Sequence, residues 1–283
     1  MIDADQVAAY NRDGYLVVER VFDDAEIASI RAALDEVTDR SARAKYGSIL
    51  EPEAIKDRQH TRVRRILNPA EQHETFARFM TDARLIRIIA QLIGPDFRRM
   101  RGKVNMKPAR VGAPVEWHQD WAFYPHTNDD LITVSIFVDD ITGENGPIMV
   151  IPGSHTGPVH SHHEDGRFVG LIAADAIRSL PDPLVPMTGP AGSVSFHHIR
   201  VVHGSPPNHS DMDRRMLVYP VAAADSWPLA GFRTTLEQSF GEMMSGMPSF
   251  TPRMKDIPLR MPYPNKKGSL FEIQKSAKGR YFL

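Results

Sequence analysis

Two histidines and one aspartate carry the chemistry most readily read from this chain. His118 and Asp120 stand two residues apart in Val115-Glu116-Trp117-His118-Gln119-Asp120-Trp121. On an extended strand, residues i and i+2 face the same side, so an imidazole and a carboxylate are presented together while Gln119 turns away as framework. One further imidazole from a neighbouring strand would complete a two-His-one-carboxylate face. Such a face leaves coordination positions open on a non-haem Fe(II), as O2 chemistry requires. The chain holds 12 histidines. His203 is preferred as the third ligand because it follows the apolar pair Val201-Val202 and precedes Gly204, where backbone can approach a bound group closely. His197 and His198 suit hydrogen-bonded core positions better. The same triad would also suit Zn in a cupin-like metal hydrolase or isomerase.

Other residues could shape a pocket around this nucleus. Arg58, His60, Arg62, Arg64 and Arg65 crowd a charged, irregular stretch between Ser41 and Pro69. Most of that stretch reads as a solvated loop. Alternation along Arg62-Val63-Arg64 would nevertheless put both arginines on one face of an extended segment, where they could hold an anionic substrate or cosubstrate. Trp117, Trp121, Phe123 and Tyr124 flank the metal motif. Trp121 and Tyr124 are candidates for the pocket wall, where amphipathic aromatics bind organic groups. His126, close behind, is a candidate polar pocket residue. His160, His162 and His163 form a local cluster able to scavenge Zn or Ni, although a solvated loop explains them better.

The elements that must position these residues follow from periodicity. Asp3 to Asn11 predicts a short helix capped by Asp3, and Gly14 to Glu19 a strand. A helix capped by Asp23 or Asp24 runs to about Asp39, with Ile27, Ile30, Ala33, Leu34 and Val37 on one face. Glu71 to Leu92 reads as one long helix stopped by Gly94-Pro95. From Phe97 the period changes to two, and Lys103, Asn105 and Lys107 share one face of a strand opposite Val104 and Met106. Short strands follow at Leu131 to Val138, Gly146 to Ile151, Ser193 to Phe196 and Arg215 to Val221. Helices first and antiparallel strands later predict a mainly β fold with flanking helices. Its core would be a double-stranded β-helix, a cupin-like jelly roll, with the N-terminal helices packed on one sheet. The Met- and Pro-rich tail is a candidate lid or subunit contact in a homo-oligomer.

Composition narrows the class of function. Lys and Arg total 34 against 35 Asp and Glu, so no overall field draws the chain to nucleic acid or an anionic membrane. Cysteine is absent, which removes disulfides, thiolate nucleophiles and thiolate metal sites together. No apolar run reaches the roughly 18 residues that span a bilayer. The N-terminus lacks a basic-then-apolar signal pattern. A cytoplasmic enzyme with a small-molecule substrate is the expectation.

Taken together, the motifs resemble a known family. His118-Gln119-Asp120, Phe123-Tyr124-Pro125-His126, Asp139-Asp140-Ile141-Thr142-Gly143-Glu144-Asn145-Gly146-Pro147, Ile151-Pro152-Gly153-Ser154-His155, His203-Gly204-Ser205 and Arg214 occur in this order. With the opening Asp13-Gly14-Tyr15-Leu16-Val17, they are similar to the phytanoyl-CoA dioxygenase family of Fe(II)/2-oxoglutarate-dependent oxygenases. The resemblance covers most of the chain. It implies a single oxygenase domain over 1–283, with a helical and mixed part at 1–96, a jelly-roll core at about 97–225 and a helix-and-loop segment at 226–283. It implies His118, Asp120 and His203 as iron ligands, with 2-oxoglutarate and O2 as cosubstrates. Arg214 would pair with the distal carboxylate of 2-oxoglutarate, for which a planar guanidinium is suited. Ser205, Thr133 and Ser135 would add hydroxyl contacts, and one of Lys103, Asn105 and Lys107 would reach the cosubstrate or an anionic substrate. The implied reaction is hydroxylation of an unactivated C–H with release of succinate and CO2. Desaturation, epoxidation and cyclisation stay open, as does a non-catalytic binding relative. Halogenation is disfavoured because Asp120 keeps the metal carboxylate.

Overall fold

The computed structural model describes residues 1–43, 50–52, 63–180, 184–230, 235–260 and 270–282. Arg58, His60 and Arg62 lie outside the described residues. Helix α1 (Ala4–Asp13) opens with a capping box, in which Asp3 accepts from the Gln6 N–H and the Gln6 side chain accepts from the Asp3 N–H. Strand β1 (Tyr15–Val18) leads to helix α2 (Asp24–Arg43), where Asp23 and Glu26 make the same reciprocal pair. Strands β2 (Leu50–Pro52) and β3 (Val63–Leu67) follow.

The stretch expected as one helix over Glu71 to Leu92 is three: α3 (Pro69–Gln72), α4 (Glu74–Met80) and α5 (Ala83–Ile93). His73 and Asp82 interrupt it with extended backbone, and each caps the next helix through its own side chain. Both breaks fall on polar positions of the pattern, so the apolar period runs through them unbroken.

Strands β4 (Phe97–Arg99), β5 (Lys103–Lys107), β6 (Val115–His118), β7 (Leu131–Phe137) and β8 (Ile148–Val150) come next. After the small pair β9 (His163–Glu164) and β10 (Arg167–Phe168) and helix α6 (Ala174–Arg178) come β11 (Val185–Met187), β12 (Val194–His198), β13 (His203–Ser205) and β14 (Arg214–Ala223). The chain ends through α7 (Leu236–Gly241), β15 (Met243–Ser245) and α8 (Leu270–Lys275).

Among the described residues all strand pairings are antiparallel, and they build two principal sheets. The major sheet runs β1-β12-β7-β14-β5-β3-β2, with β4 on the far part of β14 and β15 on β4. The minor sheet runs β11-β8-β13-β6. Strands from the N-terminal part and one from the C-terminal segment thus extend a sheet centred on β7 and β14. The tail strand β15 was not apparent in the sequence.

Helices α2, α4 and α5 cover the outer face of the major sheet. Ile27, Ile30, Leu34, Phe76, Phe79, Leu85 and Ile89 pack there against Ile132, Val134, Ile136, Phe196, Leu217 and Val221. The inner face is polar at one side and apolar at the other, and its register sets out the site. Thr133 stands opposite His197 and Pro220, Ser135 opposite Ser195 and Val218, and Phe137 opposite Met216. Across β14, Lys103, Asn105 and Lys107 oppose Val218, Met216 and Arg214. The Lys-Asn-Lys face therefore turns into the space between the sheets and not to solvent. Among the described residues, no helix is long and apolar enough to cross a membrane.

Candidate active site

His118 ends β6 and His203 begins β13, and the two are register partners in the minor sheet. Asp120 is not on the strand, as the spacing alone suggested, but in a short 3-10 turn, Asp120–Ala122. Gln119 between them keeps extended angles (φ −115, ψ 131), so the alternation persists and both ligand candidates face the same side. Gln119 itself is buried framework. Its side chain donates to the carbonyls of Pro158 (3.1 Å) and Arg200 (2.8 Å) and accepts from the His160 N–H (2.9 Å).

The ligand atoms of His118, Asp120 and His203 lie within 4.8 Å of one another, the only such group of three or more among the described residues. Nδ1 of His118 donates to the Glu116 carbonyl (2.8 Å), and Nδ1 of His203 donates to the Val201 carbonyl (3.0 Å). Each bond fixes the tautomer whose Nε2 lone pair is left for a cation. Burial pushes both imidazoles down from their ordinary pKa, so they are neutral. Burial acts in the other sense on Asp120, but the His197 ring beside it is the leading influence that holds its carboxyl well below the usual range. Two neutral imidazoles and one carboxylate, converging on one point, form a donor set that fits Fe(II).

A cavity of about 280 Å³ opens beneath this group. Arg214, in its lining, is 2 % exposed, and its Nε and one terminal nitrogen have no hydrogen-bond partner. Burial lowers its pKa to about 9. An unpaired guanidinium inside a protein is costly unless a bound anion completes it.

Several expected contacts fall elsewhere. Thr133 lines the cavity, but its hydroxyl donates to Oδ2 of Asp120 (2.9 Å) and not into the cosubstrate space. Ser205 lines it too, with its hydroxyl committed to the Gly146 carbonyl (2.9 Å). Ser135 is fully buried and does not reach the cavity. Lys103, Asn105 and Lys107 all line it, although Lys107 Nζ donates to the Ser205 (3.1 Å) and Pro206 carbonyls and Asn105 accepts from Arg65 Nε (3.1 Å). Tyr124 lines the cavity, whereas Trp121 does not: it packs on Leu131, Ile199 and Ala222 and donates to the Pro258 carbonyl (3.3 Å). His126 is also absent from the lining. It is buried beside Pro228, donates to the Tyr124 carbonyl (2.8 Å), and burial pushes its pKa down to about 4. Arg64 reaches the cavity and Arg65 joins it, both guanidinium groups lying over the Phe271 ring at 3.8 and 4.7 Å.

The His160–His163 cluster forms no metal group. His162 accepts from the Gln119 N–H (2.9 Å) through Nε2 and donates to the His160 carbonyl (2.9 Å), which uses both ring nitrogens. One residue was overlooked. His197, expected to be a hydrogen-bonded core residue, lines the cavity, and neither ring nitrogen has a hydrogen-bond partner. Only its register opposite Thr133, which no local pattern reveals, could have placed it there.

An antiparallel jelly roll whose minor sheet gathers two imidazoles and a carboxylate over a buried, unpaired arginine is the arrangement of a mononuclear non-haem iron oxygenase. The family model "Phytanoyl-CoA dioxygenase (PhyH)" matches residues 10–216. A "Probable alpha-ketoglutarate-dependent hypophosphite dioxygenase" of Stutzerimonas stutzeri is 35 % identical over 99 % of both chains. The L-proline trans-4-hydroxylase of Streptomyces griseoviridis is 30 % identical over 76 % of this chain and 84 % of its own. Among solved structures, EctD from S. alaskensis with bound Fe superposes with a TM-score of 0.66 at 27 % identity, covering 79 % of this chain and 77 % of that one. The chain belongs to the phytanoyl-CoA dioxygenase (PhyH) family and is an Fe(II)/2-oxoglutarate-dependent dioxygenase.

Proposed function

We propose that this dioxygenase hydroxylates a small anion, with His118, Asp120 and His203 holding Fe(II) and Arg214 gripping the distal carboxylate of 2-oxoglutarate. The observation that carries the cosubstrate reading is the buried guanidinium of Arg214, unpaired on the wall of the cavity that the triad also lines. For the substrate, size and charge of the cavity agree. Ordinary ligand pockets span about 300–1,000 Å³, and this one, about 280 Å³, must admit cosubstrate and substrate together. Its described lining includes six Lys or Arg side chains (Arg64, Arg65, Arg101, Lys103, Lys107, Arg214) against one carboxylate, Asp120. Hypophosphite, named for the 35 % identical relative, is an anion of suitable size and the first substrate to test.

The bound iron and cosubstrate supply the oxidising chemistry: substrate X–H, O2 and 2-oxoglutarate give X–OH, succinate and CO2, with one oxygen atom going to each of X–OH and succinate. The protein supplies position and dryness. Nδ1 bonds to backbone carbonyls aim both imidazoles, Thr133 fixes the Asp120 carboxylate, and Arg214 sets the register of the cosubstrate. Tyr124, Phe271 and the Arg64–Arg65 pair wall the side on which the second anion would lie.

The test is succinate release by the iron-loaded chain with hypophosphite, small organic anions, L-proline, ectoine and an acyl-CoA ester offered in parallel. Stimulation by a small anion, with hydroxylated product matching succinate, supports the reading. Stimulation by the CoA ester alone, or by none of the anions, removes it.

A further inference from the structure

We propose that His197 is a positioning residue for the metal carboxylate: together with Thr133 it engages the outer oxygen of Asp120, so that Asp120 offers the metal a single oxygen. This rests on the ligand set proposed above. His197 is 2 % exposed, and neither of its ring nitrogens has a hydrogen-bond partner. Buried polar groups are nearly always satisfied, and an exception next to a reaction centre calls for a functional account. Oδ2 of Asp120 lies 3.7 Å from Nε2 of His197. The same Oδ2 already accepts from the Thr133 hydroxyl at 2.9 Å. Thr133 and His197 are directly opposed in the β7–β12 register, so neighbouring strands aim two donors at one carboxylate oxygen. The other oxygen, Oδ1, is the one turned toward Nε2 of His118, at 3.7 Å.

The 3.7 Å separation is longer than a formed hydrogen bond. His197 therefore stands as a ready donor that a small movement of the carboxylate would complete. A fourth-ligand role is not supported by the geometry, since the compact donor group comprises His118, Asp120 and His203 without His197. Its ring centroid lies 4.5 Å from that of His203, on the wall of the same cavity. Holding Oδ2 away from the cation has a direct consequence for this enzyme class. A carboxylate that binds through one oxygen leaves positions for a chelating cosubstrate and for O2, whereas one that swings to bind through both occupies one of them.

The experiment separates this role from packing by opposite signs. The full chain is compared with His197→Leu, His197→Gln and Thr133→Val, measuring the Kd for Co(II) and the thermal midpoint of the metal-free protein. Leucine removes two unsatisfied buried nitrogens, so the metal-free protein should melt at the same temperature or higher. Its Kd for Co(II) should rise by about 10–100-fold, the usual effect of losing a group that orients a ligand. Thr133→Val should raise the Kd in the same sense. Glutamine, which keeps an N–H at similar reach, should return the Kd toward wild type. The idea fails if His197→Leu binds Co(II) like wild type, if its midpoint falls along with its affinity, or if glutamine does no better than leucine. A wild-type chain that binds no Co(II) would remove the ligand set itself, and this role with it. Wild-type binding with an indifferent His197→Leu removes this role alone.

Discussion

At the scale of single residues, the site divides into what spacing can show and what only register can show. His118 and Asp120 were legible because two residues of extended chain force a common face, and His203 because small and apolar neighbours flank it. Arg214 was legible only through its place in a series of motifs. Its burial was not, since Arg214-Arg215 is a pair of like charges in sequence but one points inward, unpartnered, while the other pairs with Asp139 at 2.8 Å. His197 and His126 were misread for the same reason: a histidine's partners lie on strands far away in sequence. An apolar substitution makes the Arg214 assignment testable. Arg214→Met removes a charge-assisted contact of about 2–3 kcal/mol, so the Kd for 2-oxoglutarate should rise roughly 30–150-fold. The metal-free protein should lose no stability, because a buried unpaired guanidinium becomes an apolar side chain. Calorimetric titration with 2-oxoglutarate and a urea melt check both halves. An unchanged Kd would reassign the arginine.

Elements explain why motifs far apart in sequence share one neighbourhood. Asp13-Gly14 ends α1, and Ile151-Pro152-Gly153-Ser154-His155 docks onto that turn. The Gly153 N–H donates to the Asp13 carbonyl (2.8 Å), and the His155 ring lies 3.2 Å from the Asn11 carbonyl. Ser154 Oγ then accepts from the Val202 N–H (2.9 Å), one residue before His203. These motifs therefore brace β13 without touching the cavity, which the turn chemistry of the sequence suggested but could not locate. Gly14 is the tightest point. It sits at φ 78, caps α1 through its N–H to the Tyr10 carbonyl, and a β-carbon there would overlap the His155 ring and Val201. Left-handed strain and overpacking together predict a loss of roughly 2–4 kcal/mol for Gly14→Ala. Urea denaturation should show it, with a lower metal affinity if β13 shifts. A loss under about 1 kcal/mol would mean that the turn and His155 relax freely. By contrast, the helical pattern over Glu71 to Leu92 shows how an element can be read correctly by face and wrongly by continuity.

For the molecule as a whole, near-balanced charge hides several buried histidines that resist added protons. His126, His162 and His198 are pushed down by burial to about 4, 3 and 3. His162 matters most for the site, since its Nε2 must stay unprotonated to accept the Gln119 N–H between His118 and Asp120. In the unfolded chain each of these rings takes up a proton at about pH 6.5. Below that pH the unfolded state binds more protons than the folded one, so stability rises with pH and is lost as pH falls. The stabilisation is complete above about pH 6.5 and drains away down to about pH 4 for His126, with His162 and His198 continuing lower still. Each such histidine contributes a slope of up to about 1.4 kcal/mol per pH unit in that window. Urea melts of the metal-free protein should therefore show stability falling steeply between pH 6.5 and 5, before the paired carboxylates begin to titrate. His162→Gln should reduce that slope, because one proton fewer distinguishes the two states, whatever it does to stability at pH 7. A flat profile from pH 6.5 to 5 would mean that these rings take up protons in the folded protein at no cost, and the acceptor role of His162 toward the Gln119 N–H would be refuted with it.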